Sequence, residues 1–99
     1  MASTPEAKVK NKIKDILKRH NCYYAMPIGS GYGNAGVPDF LVCVGGFFLA
    51  IEAKAGTNQP TALQKKNLDR VREAGGAAMV VNETNLNDLD QLIYELLNS

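Results

Sequence analysis

Asp39, Glu52 and Lys54 stand at the ends of two apolar runs in the stretch PDFLVCVGGFFLAIEAK, residues 38–54. Asp39 precedes the first run, Phe40–Val44, and Glu52 and Lys54 fall at the end of the second, Phe47–Ala53. Between the runs lies Gly45-Gly46, a strong signal for a two-residue hairpin turn. That turn sets Val44 against Phe47 and therefore Asp39 directly against Glu52. Directly opposed residues share a sheet face with Cβ atoms about 5 Å apart, and Lys54, two residues on, points the same way. Two carboxylates at ~5 Å repel by about 3 kcal/mol at an effective dielectric of ~20. A domain with a total stability of ~5–15 kcal/mol does not carry that idly. A shared proton relieves it and Lys54 relieves part of it. A divalent cation relieves it fully, since carboxylates and backbone carbonyls are the oxygen ligands Mg²⁺ takes. The spacing thus predicts a metal site. The competing reading makes Asp39 a strand-start residue after Pro38 and Glu52–Lys54 a surface pair, and a bulge would break the register.

Two further polar residues interrupt apolar stripes. Glu6 falls on the helix face of Val9, Ile13 and Leu17, and Gln64 on that of Leu68 and Val71. Each also has an ordinary explanation: Glu6 favours the helix dipole, and Thr61-x-x-Gln64 is a capping box. Taken with the carboxylate pair, they suggest a polar pocket at one end of a sheet.

The elements that must position these residues follow from caps and periodicity. Thr4-Pro5-Glu6 is a helix start, and Val9, Ile13, Ile16 and Leu17 continue it to about Asn21. Cys22–Met26 reads as a short strand, 27–37 as a glycine-rich loop, and Phe40–Val44 and Phe47–Ala53 as a hairpin covered on both faces. Thr61–Ala74 is a helix closed by Gly75-Gly76, Ala77–Asn82 a strand and Leu86–Leu97 a last helix. The order αβββαβα predicts an α/β fold: an antiparallel meander, then a βαβ unit whose strand joins in parallel, giving a mixed central sheet with an extra C-terminal helix. The 99 residues fit one domain, 1–99, with one core.

Composition excludes little: 45% apolar, 21% charged and a formal net charge of +1 are ordinary values. The distribution is uneven. Residues 1–20 carry Lys8, Lys10, Lys12, Lys14, Lys18 and Arg19 against Glu6 and Asp15, whereas residues 76–99 carry four acids and no base. A basic face and a separate acidic face are expected. Cys22 and Cys43 lack metal or redox spacing and read as buried thiols of a reducing compartment. No signal peptide is recognisable, and the longest uncharged apolar run is too short to span a bilayer. A cytoplasmic protein without membrane contact is expected. Gly31-Tyr32-Gly33-Asn34-Ala35-Gly36 matches GxGxxG, but a strand follows it where a dinucleotide site needs a helix, so no organic cofactor is expected. His20, at the end of the first helix, reads as structural.

Pro38-Asp39, then Glu52-Ala53-Lys54 at the end of the next strand, then Gln64 on the following helix, resembles the PD-(D/E)XK nuclease superfamily, whose restriction-endonuclease-like core has the order αβββαβ. The lead-in Gly36-Val37-Pro38-Asp39, the Glu6 helix and Gln64 look most like its VRR-NUC branch, the virus-type replication and repair nucleases. The resemblance runs from Glu6 to about Asn82. It implies Mg²⁺- or Mn²⁺-dependent hydrolysis of DNA phosphodiesters in a bacterial or phage-infected cell. Asp39 and Glu52 would ligate the metal with the Ala53 carbonyl, and Glu6 would be an outer or second-metal carboxylate. Lys54 would orient the attacking water or neutralise the phosphate, and Gln64 would hold the phosphate or the water. Small relatives look like Holliday-junction resolvases acting as homodimers on branched DNA. No appended DNA-binding domain is seen, so Lys8, Lys12, Lys65, Lys66, Arg70, Arg72 and Ser30 with its neighbouring loop amides are the candidate DNA contacts. The alternatives are a nonspecific or flap-cutting nuclease with the same site, a noncatalytic nucleic-acid-binding domain, and a protein-interaction module whose polar pocket is coincidental.

Overall fold

The computed structural model describes residues 4–28 and 36–99. The first helix, α1 (Pro5–Arg19), begins where expected: the Ala7 N–H donates to the Thr4 hydroxyl at 3.1 Å, and Pro5 needs no partner at the first position. It ends where Asn21 adopts a left-handed backbone, φ 59°. Strand β1 (Tyr23–Ala25) is shorter than expected. Strands β2 (Phe40–Val44) and β3 (Phe47–Ala53) form the hairpin, with Gly45 and Gly46 at φ 57° and 89°, the paired positive angles a two-residue turn demands. Val44 pairs with Phe47 and Phe40 with Ile51, so the expected register is observed. Helix α2 (Ala62–Glu73), strand β4 (Ala77–Val81) and helix α3 (Leu86–Leu97) complete the chain.

The sheet order is β1-β2-β3-β4, antiparallel until β4, which pairs with β3 in parallel. The mixed sheet and the αβββαβα order are those anticipated. One face carries the main core: Phe40, Val42 and Val44, then Leu49, Ile51 and Ala53, then Val81, packed against Val9, Ile13, Ile16 and Leu17 of α1 and Leu89 and Ile93 of α3. On the other face α2 lies over β3 and β4 and buries Leu68.

That second layer is narrow, and it corrects two expectations. Among the described residues the hairpin is not covered throughout on both sides, because α2 packs over β3 and β4 rather than β2. Cys43, on the face α2 leaves open, is therefore exposed, and Cys22, packed at the margin of the main core, is half-buried, so neither is a fully buried thiol. The basic and acidic segments do not form separate faces either. Helices α1 and α3 are neighbours in one layer, clipped by Asp90 Oδ1, which receives Arg19 at 2.9 Å and lies 2.6 Å from His20 Nε2. The two partners, His20 foremost, hold the Asp90 carboxyl below its usual range.

The two sheet edges differ. The Lys54 N–H donates to Val81 O, so odd-numbered residues of β4 turn to β3 and even-numbered ones turn outward. Both outward carbonyls are taken by side chains: Arg72 donates to Ala78 O at 3.0 Å and Asn85 to Val80 O at 2.9 Å. The β4 edge is thereby blocked against another strand. At the β1 edge no side chain donates to or accepts from the strand backbone among the described residues.

Candidate metal centre and nuclease site

Asp39 is the residue before β2 and stands one step beyond the Phe40–Ile51 pair, opposite Glu52. Its Oδ2 accepts the Ala53 N–H at 2.8 Å, so the side chain replaces the backbone partner the strand lacks there. The N–H and C=O of one strand residue point to the same neighbour, which turns the Ala53 carbonyl toward Asp39 as well. The chain leading into Asp39 is held by close packing. A Cβ on Gly36 would stand 2.6 Å from Leu63 O and 2.7 Å from Asn67 Nδ2, so only glycine lets this segment lie on the first turns of α2. Gly36→Ala should cost about 1–3 kcal/mol, read as a lower urea midpoint, and should displace Asp39.

Glu52 is 2% exposed and is the one buried charged side chain among the described residues. Its Oε2 lies 3.7 Å from Lys54 Nζ, while its Oε1 is buried with no hydrogen-bond partner. A buried carboxylate oxygen without a partner is expensive. Burial first, then the charge of Asp39 and a hydrogen bond shared with it, push the Glu52 carboxyl up to about 7, and Lys54 pulls the other way. Burial and the neighbouring Asp39 charge therefore disfavour full ionisation of both carboxylates in the metal-free protein.

Glu6 lies at the N-terminal end of α1, near enough to raise the Glu52 carboxyl further. Among the described residues no three His, Cys, Asp or Glu side chains are grouped as they would be around a metal ion. Glu6 Oε2 lies 3.4 Å from Lys10 Nζ, which also lies 3.6 Å from Asp39 Oδ1. Lys10 is thus the site residue that sequence reasoning missed. The signal available was its i,i+4 spacing from Glu6. Gln64 makes the capping box: its Oε1 accepts the Thr61 N–H at 2.9 Å and its own N–H donates to the Thr61 hydroxyl at 3.2 Å. Its amide NH₂ makes no hydrogen bond among the described residues, to the carboxylates or otherwise. Lys8 and Lys12 are exposed on α1 beside a groove of about 210 Å³ that Glu83 also lines. Lys65 and Lys66 are exposed on α2, on the opposite side of the sheet. Ser30 and most of the GxGxxG segment lie outside the described residues.

Scanning the sequence against protein-family models and curated proteins gave no match. Solved structures do match. A protein described as "VRR_NUC domain" superposes with a TM-score of 0.73 at 24% identity, covering 93% of this chain and 97% of that one. Another, "VRR_NUC domain protein", gives 0.74 at 19% identity, covering 99% and 92%. The chain has the VRR_NUC fold. The likeness spans the elements that hold Asp39, Glu52 and Lys54, so the arrangement expected from the short motifs extends to nearly the whole chain. Within the VRR_NUC fold of this protein the site lies where the β2–β3 hairpin opens, between the first turns of α1 and α2.

The donor set fits a hard divalent cation. Two carboxylates, one with an unpartnered buried oxygen, and a backbone carbonyl on the same side supply oxygen ligands of the kind Mg²⁺ and Mn²⁺ take.

Proposed function

We propose that this protein is a Mg²⁺- or Mn²⁺-dependent DNA endonuclease that acts as a homodimer on branched DNA such as four-way junctions. The observation that supports this most is Glu52 Oε1, buried without a partner against Asp39, with the Lys54 ammonium alongside. The VRR_NUC likeness agrees with it. Asp39 and Glu52 would hold the cation with the Ala53 carbonyl; when bound, it supplies charge neutralisation at the phosphate and a water acidic enough to attack near neutral pH. Lys54, held by Glu52 at one end of the hairpin, offers its ammonium to the charge that grows on the phosphate. Gln64, with its amide NH₂ uncommitted, donates to a phosphate oxygen from the second layer. Lys8 and Lys12 on α1 and Lys65 and Lys66 on α2 flank the site and carry the salt-sensitive part of DNA binding.

The second copy would pair along the β1 edge. Tyr23, Cys43 and Phe48 form one cross-strand row on the uncovered face, Tyr23 81% and Phe48 46% exposed, and the surrounding apolar groove of about 340 Å³ holds no charged residue. Two copies meeting there do not repel, and the blocked β4 edge leaves β1 as the edge for strand pairing. Phe48→Glu should convert a dimer to a monomer in sedimentation velocity; a wild-type monomer would overturn the pairing.

The substrate reading is tested by cleavage of labelled four-way junction, flap and linear duplex in Mg²⁺ or Mn²⁺. Paired symmetric cuts on the junction are expected. Flap cutting or indiscriminate cutting would keep the nuclease and discard the junction preference. Salt-sensitive binding without cleavage of any form would leave a noncatalytic DNA-binding domain.

A further inference from the structure

Resting on the metal reading above, we infer that Lys10 is a resident counter-cation of the site, occupying the outer oxygen of Asp39 until a divalent cation displaces it. Each carboxylate has a lysine of its own. Glu52 has Lys54 at 3.7 Å, two residues away on the same strand end. Asp39 has Lys10 at 3.6 Å, reaching across from α1. Between them Asp39 is fully engaged: Oδ2 takes the Ala53 N–H and Oδ1 takes Lys10. Glu52 Oε1 has nothing. The unfilled oxygen and the lysine-filled oxygen belong to the two carboxylates that would share one cation, so an arriving cation competes with Lys10 for Asp39.

A lysine suits this place better than an arginine would. Its ammonium is a compact point charge on a flexible stem, able to swing away without breaking a bidentate pair. Lys10 is also tethered. Glu6, one helical turn back, holds the same Nζ at 3.4 Å, so a displaced ammonium stays beside the site. Glu6 then has a role that does not require ligation: it keeps Lys10 close. Nothing in helix formation asks for the contact with Asp39, since a partly exposed i,i+4 pair forms without it.

Lys10 is therefore a positioning residue, and its removal should strengthen metal binding where a structural role would weaken it or leave it unchanged. The test is Mn²⁺ titration of the full chain by calorimetry at pH 8.5, where Glu52 is ionised, with wild type, Lys10→Met, Glu6→Gln/Lys10→Met and Glu52→Gln. Methionine keeps the helical, unbranched stem. Lys10→Met should bind Mn²⁺ about tenfold more tightly, and the gain should persist in the double variant. Equal or weaker binding by Lys10→Met, with wild-type binding that is lost in Glu52→Gln, overturns the role of Lys10 and leaves the metal reading standing. A gain that vanishes in the double variant assigns it to a freed Glu6 and also overturns the proposal. Absence of Glu52-dependent Mn²⁺ binding in wild type overturns the metal reading, and the proposal with it.

Discussion

Lys54→Ala should lower DNA cleavage by about 10³-fold while the protein stays folded and binds Mn²⁺ at pH 8.5. The lysine is 13% exposed, and its Nζ lies 3.7 Å from Glu52 Oε2, close enough to steady that carboxylate and to face a phosphate held beside it. An ammonium is no metal ligand, so its loss removes charge stabilisation without removing a donor. The choice of pH follows from the site. Lys54 favours ionised Glu52, and without it the Glu52 carboxyl rises above about 7. Near neutral pH the variant would hold a proton where the cation belongs, and weak binding there would report protonation. A pH of 8.5 favours the ionised carboxylate in both proteins. The fold survives for the same reason, because Glu52 left alone can take up a proton and need not remain a buried charge. Single-turnover cleavage and Mn²⁺ titration at that pH check both halves. Loss of Mn²⁺ affinity together with cleavage would make Lys54 part of the ligand cage and contradict its assigned role.

The second large effect is on stability. The Glu52 carboxyl is raised from an ordinary 4.5 to about 7, chiefly by burial and then by Asp39. Protonated Glu52 is thus favoured in the fold over the unfolded chain, where the same group ionises near 4.5. Its contribution is greatest below about pH 4.5 and is lost as pH rises through 7, amounting to about 3 kcal/mol. Metal-free wild type should therefore have a lower urea midpoint at pH 8.5 than at pH 5. Glu83 and Asp90 are shifted downward, so their contributions are already complete at pH 5 and do not blur the window. Glu52→Gln imitates the protonated acid, and should remove most of this pH dependence and be the more stable protein at pH 8.5. Mn²⁺ should restore wild type at pH 8.5 and leave Glu52→Gln unmoved. A wild type equally stable at both pH values would contradict a protonated, buried Glu52.

Much of the fold was legible because its limits are local. Gly45-Gly46 with positive φ fixes the hairpin register, and that register alone brings Asp39 opposite Glu52. Thr4-Pro5 and Thr61 announce two helix starts through caps that act within three residues. The rest depends on contacts between elements that no local pattern encodes. Cys43 alternates like a core residue yet is exposed, because α2 covers only β3 and β4. Lys10 reads as one basic residue among several until packing of α1 brings it to Asp39. Gln64 had two local readings, and its Oε1 is taken by the capping box, leaving the NH₂ for any part in binding. The acidic α3 and the basic α1 share a layer because both supply apolar stripes to the same sheet face, which net charge along the chain does not reveal.

The most direct single measurement is cleavage of labelled four-way junction DNA by wild type in Mg²⁺, by wild type in EDTA, and by Glu52→Gln in Mg²⁺. Cutting by wild type in Mg²⁺ alone is the predicted result, since the cation and the buried carboxylate that holds it are both required. Cutting that persists in EDTA or in the Glu52→Gln protein would contradict a metal-dependent nuclease site at Asp39 and Glu52.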